Sequence, residues 1–134
     1  MDTCEQLALI NNYLRGVLWM DFEVVGFKDQ VLRVEAGHDL HGGPHDVVMH
    51  FHFPVAVSAP LCWKTDTGIV GDVLALLGEE AARQFNIQFQ VEVGNALFGF
   101  VAEDAPPGTR YVIAARSMSI EYLNPEPPHR RSGI

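Results

Sequence analysis

Several segments of this chain alternate apolar and polar residues with a period of two and are separated by tight turn signals. That pattern fits a strand with one dry face and one wet face, and it constrains the fold more than any other feature. Val31-Leu32-Arg33-Val34-Glu35-Ala36 places Leu32 and Val34 inward and Arg33 and Glu35 outward. Residues 46–57 place Val47, Met49, Phe51, Phe53 and Val55 on one face and Val48, His50 and His52 on the other. Residues 19–27, 85–93, 97–102 and 110–122 read as further strands, and Leu61-Cys62-Trp63-Lys64 as a short one. Lys28-Asp29-Gln30 and Gly94-Asn95 read as turns, the second closing a hairpin between residues 85–93 and 97–102. Pro54 limits pairing on one side, so that end of its strand is expected at a sheet edge or a bulge. Gly99 faces away from Phe98 and Phe100 and marks a bulge or a close backbone approach.

Two segments carry a helical period instead. Thr3-Cys4-Glu5-Gln6 reads as a capping box ahead of Leu7, Ile10, Leu14 and Val17, with Gly16 as the stop. Residues 69–84 place Val70, Val73, Leu74 and Leu77 on one face, weakened by Gly71 and Gly78 at about 1 kcal/mol each relative to Ala. Tight turns imply antiparallel pairing. The fold class expected is therefore α+β: a mostly antiparallel curved sheet of about six strands with two helices packed on it. Phe51, Phe53, Phe85, Phe89, Phe98 and Phe100 are the expected core anchors, because each buried phenylalanine contributes about 1.5–3 kcal/mol.

The chain has 134 residues, 48 % of them hydrophobic and 19 % charged, which suits one globular domain. Residues 1–123 are expected to form it. Residues 124–134, rich in Pro and Arg without an apolar pattern, are expected as a disordered tail. The net charge of −8 repels phosphate backbones, so nucleic acid is excluded as a partner and a basic protein is favoured. The start of the chain carries no signal-peptide pattern, and no apolar run is long enough to span a bilayer, so a cytoplasmic protein without membrane partners is expected. Cys4 and Cys62 form no CxxC and are expected as reduced thiols, Cys62 buried beside Trp63.

Five of the six histidines lie within fifteen residues, from His38 to His52, together with Asp39 and Asp46. Imidazole is the commonest metal ligand. On one strand His50 and His52 point the same way, and pairing Gly37 with Asp46 sets Arg33 opposite His50 and Val31 opposite His52. The loop residues His38, His41 and His45 then offer a third ligand. Three histidines suit a catalytic zinc, and two with Asp39 or Asp46 suit a non-haem iron triad. The metal candidates are thus His38, His41, His45, Asp46, His50 and His52, for a divalent transition metal. His50-Phe51-His52 resembles the first half of a cupin metal motif, but Pro54-Val55-Ala56-Val57-Ser58 lacks the Glu that should follow. His41-Gly42-Gly43-Pro44-His45-Asp46 has His-x4-Asp acyltransferase spacing on a chain too short for that enzyme. No nucleophile elbow, P-loop, dinucleotide fingerprint or His-Glu-x-x-His is present. Asp21 and Glu23 share a strand face as a pair of acids.

Asp21-Phe22-Glu23-Val24-Val25 followed by Asp29-Gln30-Val31-Leu32-Arg33-Val34-Glu35 resembles the opening strands of small immunity proteins of bacterial polymorphic toxin systems. Phe89-Gln90-Val91-Glu92-Val93 with Phe98-Gly99-Phe100 is similar to their closing hairpin. The resemblance covers under a third of the chain, and Phe22 directly follows Asp21 where members often carry His. It implies a non-enzymatic protein that binds one partner tightly. Three functions are thus expected in order: binding of a basic protein without catalysis, with homodimerisation through a sheet edge; metal-dependent action through the histidines; and an aromatic-lined ligand pocket under the sheet.

Overall fold

The computed structural model describes residues 2–38, 45–66, 71–102, 106 and 108–127. In chain order these form α1 (Thr3–Arg15), β1 (Trp19–Lys28), β2 (Val31–Gly37), β3 (Val47–Ser58), β4 (Cys62–Asp66), β5 (Leu74–Leu76), α2 (Glu79–Phe89), β6 (Ala96–Val101) and β7 (Arg110–Tyr122). The seven strands make one antiparallel sheet in the order β4-β1-β2-β3-β7-β6-β5, so the α+β class holds with one strand more than expected.

The sheet is curled into a half-barrel. Trp63 of β4 lies with its ring centroid 5.1 Å from Phe100 of β6 and 5.3 Å from Tyr111 of β7. β4 and β6 are five places apart in the sheet order, which would separate them by about 24 Å if the sheet were flat. Extra residues at Val25 and Val55 break the register of β1 and β3, and such bulges bend the strands that carry them. The concave face is packed with Phe22, Phe51, Trp63, Phe98 and Phe100. These rings pack against one another there.

α1 packs against β7 and β5 with Ile10 and Leu14 fully buried, as is Val17 just beyond its end. Its cap is one residue earlier than expected. The Asp2 carboxylate accepts from the Glu5 N–H at 2.8 Å, and Glu5 reaches back to the Asp2 N–H. A carboxylate at the N-cap also meets the positive end of the helix dipole, which Thr3 cannot match. Gly16 ends the helix as expected, and a Cβ there would stand 2.8 Å from Pro127 Cγ.

The register proposed for the histidine strand is present: Arg33 faces His50 and Val31 faces His52. Beyond His52, β3 pairs only with β7, so Pro54 sits where β2 has ended and a bulge begins.

Two expected elements are wrong. Residues 69–84 are not one helix: residues 69 and 70 lie outside the described chain, Leu74–Leu76 is a strand, and the helix starts only after Gly78. Residues 85–93 are not a strand; Phe85 to Phe89 is the second half of α2, so Gly94-Asn95 closes no hairpin. Positions i and i+4 satisfy both periods, so Phe85 and Phe89 read equally well either way. Exposure separates them: Phe85 is buried with Ala82 packed near it, while Ile87, inward on a strand reading, is 71 % exposed. Glu79 and Glu80 in the first turn, with Glu80 bonded to Arg83 and Gln84, favour the helix locally. Of the expected core anchors, Phe53 is 50 % exposed and Phe89 39 %. Cys62 is exposed, like Cys4, and both are free thiols.

α2 lies over the other face of the sheet. Phe85 packs with Leu97, Val112 and Ala114, and Ala56 joins them. Gly99 explains how closely the chain passes here, since a Cβ on it would meet Leu77 Cδ2 at 2.7 Å.

Candidate functional site

The outer faces of β1, β2, β3 and the end of β7 carry the polar half of each alternating pattern. Cross-strand register sorts these residues into rows. One row runs Cys62, Glu23, Glu35, Val48, Glu121 across β4, β1, β2, β3 and β7. The next runs Arg33, His50, Ser119, and the one after it Val31, His52, Ser117. Glu23 and Glu35 stand directly opposite each other, where like charges repel. Glu121 lies two strands further along the same row. Its exposure is uneven: the Arg33 side chain is 51 % exposed, Glu121 60 % and His50 27 %, whereas Glu35 is 12 % exposed and Val48 is buried.

Counter-charges gather around Glu35. Arg33 Nη2 donates to its Oε2 at 3.2 Å, and His45 Nε2 lies 2.9 Å from its Oε1. His45 Nδ1 is buried without a hydrogen bond. The register partners of Glu23 are Glu35 and Cys62, neither of them basic.

Five of the six metal candidates lie among the described residues. His50 and His52 share the outer face with ring centroids 6.5 Å apart. His52 Nε2 lies 2.8 Å from Ser119 Oγ, and His50 Nε2 lies 3.7 Å from Glu121 Oε1. His45 turns to Glu35. The ring of His38 packs 4.0 Å from Trp19. Asp46 is buried; its carboxylate accepts from Asn124 Nδ2 at 3.2 Å, and its carbonyl accepts from the N–H groups of Leu123 and Asn124. His41 and Asp39 lie outside the described residues. Among the described residues, no three His, Cys, Asp or Glu side chains group to hold a metal ion.

Asp46 instead belongs to a buried polar seam between α1 and the end of β7. Tyr13 donates to the Asn124 carbonyl at 2.7 Å, and its ring lies 5.2 Å from that of Tyr122. Burial first, then the charge of Asp46 and then Tyr122, push the Tyr13 hydroxyl up to about 12; burial also raises Tyr122. Asn124, placed in the tail on composition, is thus a partner of both Tyr13 and Asp46.

The acidic row was half-visible in the sequence. Asp21 and Glu23 were readable as a pair, and Glu35 as an outward residue. Glu121 entered only through the β3–β7 pairing, whose strands are separated by half the chain. Val55 was assigned to a strand that forms, whereas Phe89, Glu92 and Asn95 were assigned to a strand and a hairpin that do not.

No helix among the described residues is long and apolar enough to cross a membrane. No family model, curated protein or solved structure matches this chain.

Proposed function

We propose that this chain is a non-enzymatic binding protein that holds a basic protein partner on the open outer face of its sheet. One observation carries the reading: Glu23 and Glu35 are opposed in register on the outer face of the sheet, with the exposed Glu121 in the same row, and only Glu35 is covered by counter-charges, from Arg33 and His45. Opposed like charges cost stability, and a fold keeps such a cost where a site uses it. A basic surface laid across the row relieves the repulsion. The overall charge of −8 adds long-range steering of a cationic partner. The immunity-like resemblance of the sequence implies the same class of action.

The test is a comparison of two untagged baits, the wild type and Glu23→Lys/Glu121→Lys, against extract from the native cells. Quantitative mass spectrometry should find one basic protein at near-stoichiometric level on the wild type and at least tenfold less on the variant. Its association rate with the wild type should fall steeply with added salt. Equal recovery on both baits, or a partner without basic character, removes the reading.

A second reading has one observation of its own. His50 and His52 present adjacent rings to solvent from one face, the arrangement from which a metal ion takes its first two ligands. Elemental analysis of untagged protein, purified without chelator, decides it. About one transition-metal ion per chain, lost in His50→Ala/His52→Ala, supports ligation; no metal in either protein ends it.

A further inference from the structure

Where β3 runs on past the histidines, the bulged residue Val55 reaches the C-terminal end of α2. There Val55, Phe89, Gln90, Val91, Glu92 and Asn95 line a groove of about 200 Å³. That is below the size of a cofactor or drug-like pocket and fits one side chain. Three separate features make it an acceptor site. α2 ends here with no basic residue in its last turn, so the negative end of its dipole is unmatched. The exposed Glu92 adds a carboxylate. Asn95 donates its Nδ2 to the Glu92 carbonyl at 3.1 Å, which fixes the orientation of the amide, and its Oδ1 is left buried without a hydrogen bond. Buried acceptors without donors are rare and costly. Val55, Val91 and Phe89 supply the apolar part of the wall beside Gln90, and Phe89 is 39 % exposed.

We infer that this groove seats one arginine side chain of the partner protein. The methylene stem lies along Val55 and Val91, and the guanidinium stacks on Phe89 while donating to Glu92 and Asn95. Arginine fits better than lysine because its planar head offers several donors in one plane together with a stacking face. The groove borders the open face, since Val55 is three residues along β3 from His52. The inference rests on the proposal of a basic protein partner and identifies one anchor for it.

The experiment is an amide-resolved NMR titration of the full chain with N-acetyl-arginine amide, N-acetyl-lysine amide and N-acetyl-norleucine amide. The arginine probe should give saturable shifts at Val55 and residues 89–95 with a millimolar Kd, at least threefold tighter than the other two. Glu92→Gln and Asn95→Leu should each weaken it at least threefold. Glu92 is exposed, so its variant reads the site even if Asn95→Leu folds poorly. Shifts spread over all acidic surfaces, equal shifts from norleucine or lysine, or indifference to Glu92→Gln overturn the assignment. Glu23→Lys/Glu121→Lys should leave the titration unchanged. Failure of the groove is thereby separable from failure of the outer face.

Discussion

Phe53 sits at φ +53°, a region where a bulky side chain is strained. Its N–H donates to the Gln30 carbonyl at 2.8 Å, and the Arg116 guanidinium stands 5.3 Å from its ring centre. This backbone reversal explains why an alternating pattern that placed Phe53 inward ends with its ring half exposed. It also gives an unusual ordering of variants. Phe53→Asn should be the milder change and Phe53→Val the worse by about 1 kcal/mol or more, because Asn tolerates the left-handed region and a β-branched residue does not. Urea unfolding midpoints decide it, and the opposite order would show that hydrophobicity outweighs backbone conformation there. Glu23→Gln belongs to the same scale. It should stabilise the chain by about 0.2–1 kcal/mol in the same assay, since it removes the repulsion across β1 and β2; a loss of stability contradicts that account.

Among the elements, β5 pairs with β6 on one side and takes its partner on the other from a single side chain. Asn11 of α1 donates to the Leu74 carbonyl at 2.7 Å and to the Leu7 carbonyl at 2.9 Å, and it accepts from the N–H groups of Val73 and Leu74 at 2.8 and 3.1 Å. An asparagine inside an amphipathic helix looks like a surface residue in sequence. Here it is 4 % exposed and supplies an edge strand of three residues with a partner. Asn11→Ala should cost about 3 kcal/mol or more, because each buried backbone group left without a partner costs about 1–3 kcal/mol. Hydrogen exchange should show protection at Val73 and Leu74 falling first; uniform loss across the sheet contradicts the assignment. α2 offers the reverse case. Its N-cap, Gly78, has an extended backbone, no capping side chain and open space where a Cβ would stand. Gly78→Ser should therefore raise stability by about 0.5–1 kcal/mol, through the cap and a less flexible unfolded chain.

For the whole molecule, the tyrosine seam sets an alkaline limit. The ordinary value for the Tyr13 hydroxyl is 10.0, and the fold pushes it up to about 12. Below pH 10 both folded and unfolded chains keep the proton. From about pH 10 to 12 the unfolded tyrosine ionises first, so the folded chain binds more protons and stability falls as pH rises. Tyr13→Phe should flatten that decline in a series of unfolding midpoints; an unchanged slope contradicts the assignment. What the sequence determined by itself is the class of the fold and much of its local detail. It includes the β1–β2 turn, the β2–β3 register that pairs Arg33 with His50, the full extent of β7 and the stop at Gly16. Each rests on local chemistry, a turn residue or a period of two, acting between neighbours in the chain. The tertiary structure decided the rest. Residues 85–89 became helix because one apolar face had to cover Leu97, Val112 and Ala114, and a spacing of four residues serves both periods equally. Glu121 joined Glu23 and Glu35, and Asn95 met Val55, only through strand pairings and packing between distant parts of the chain, which no local pattern encodes.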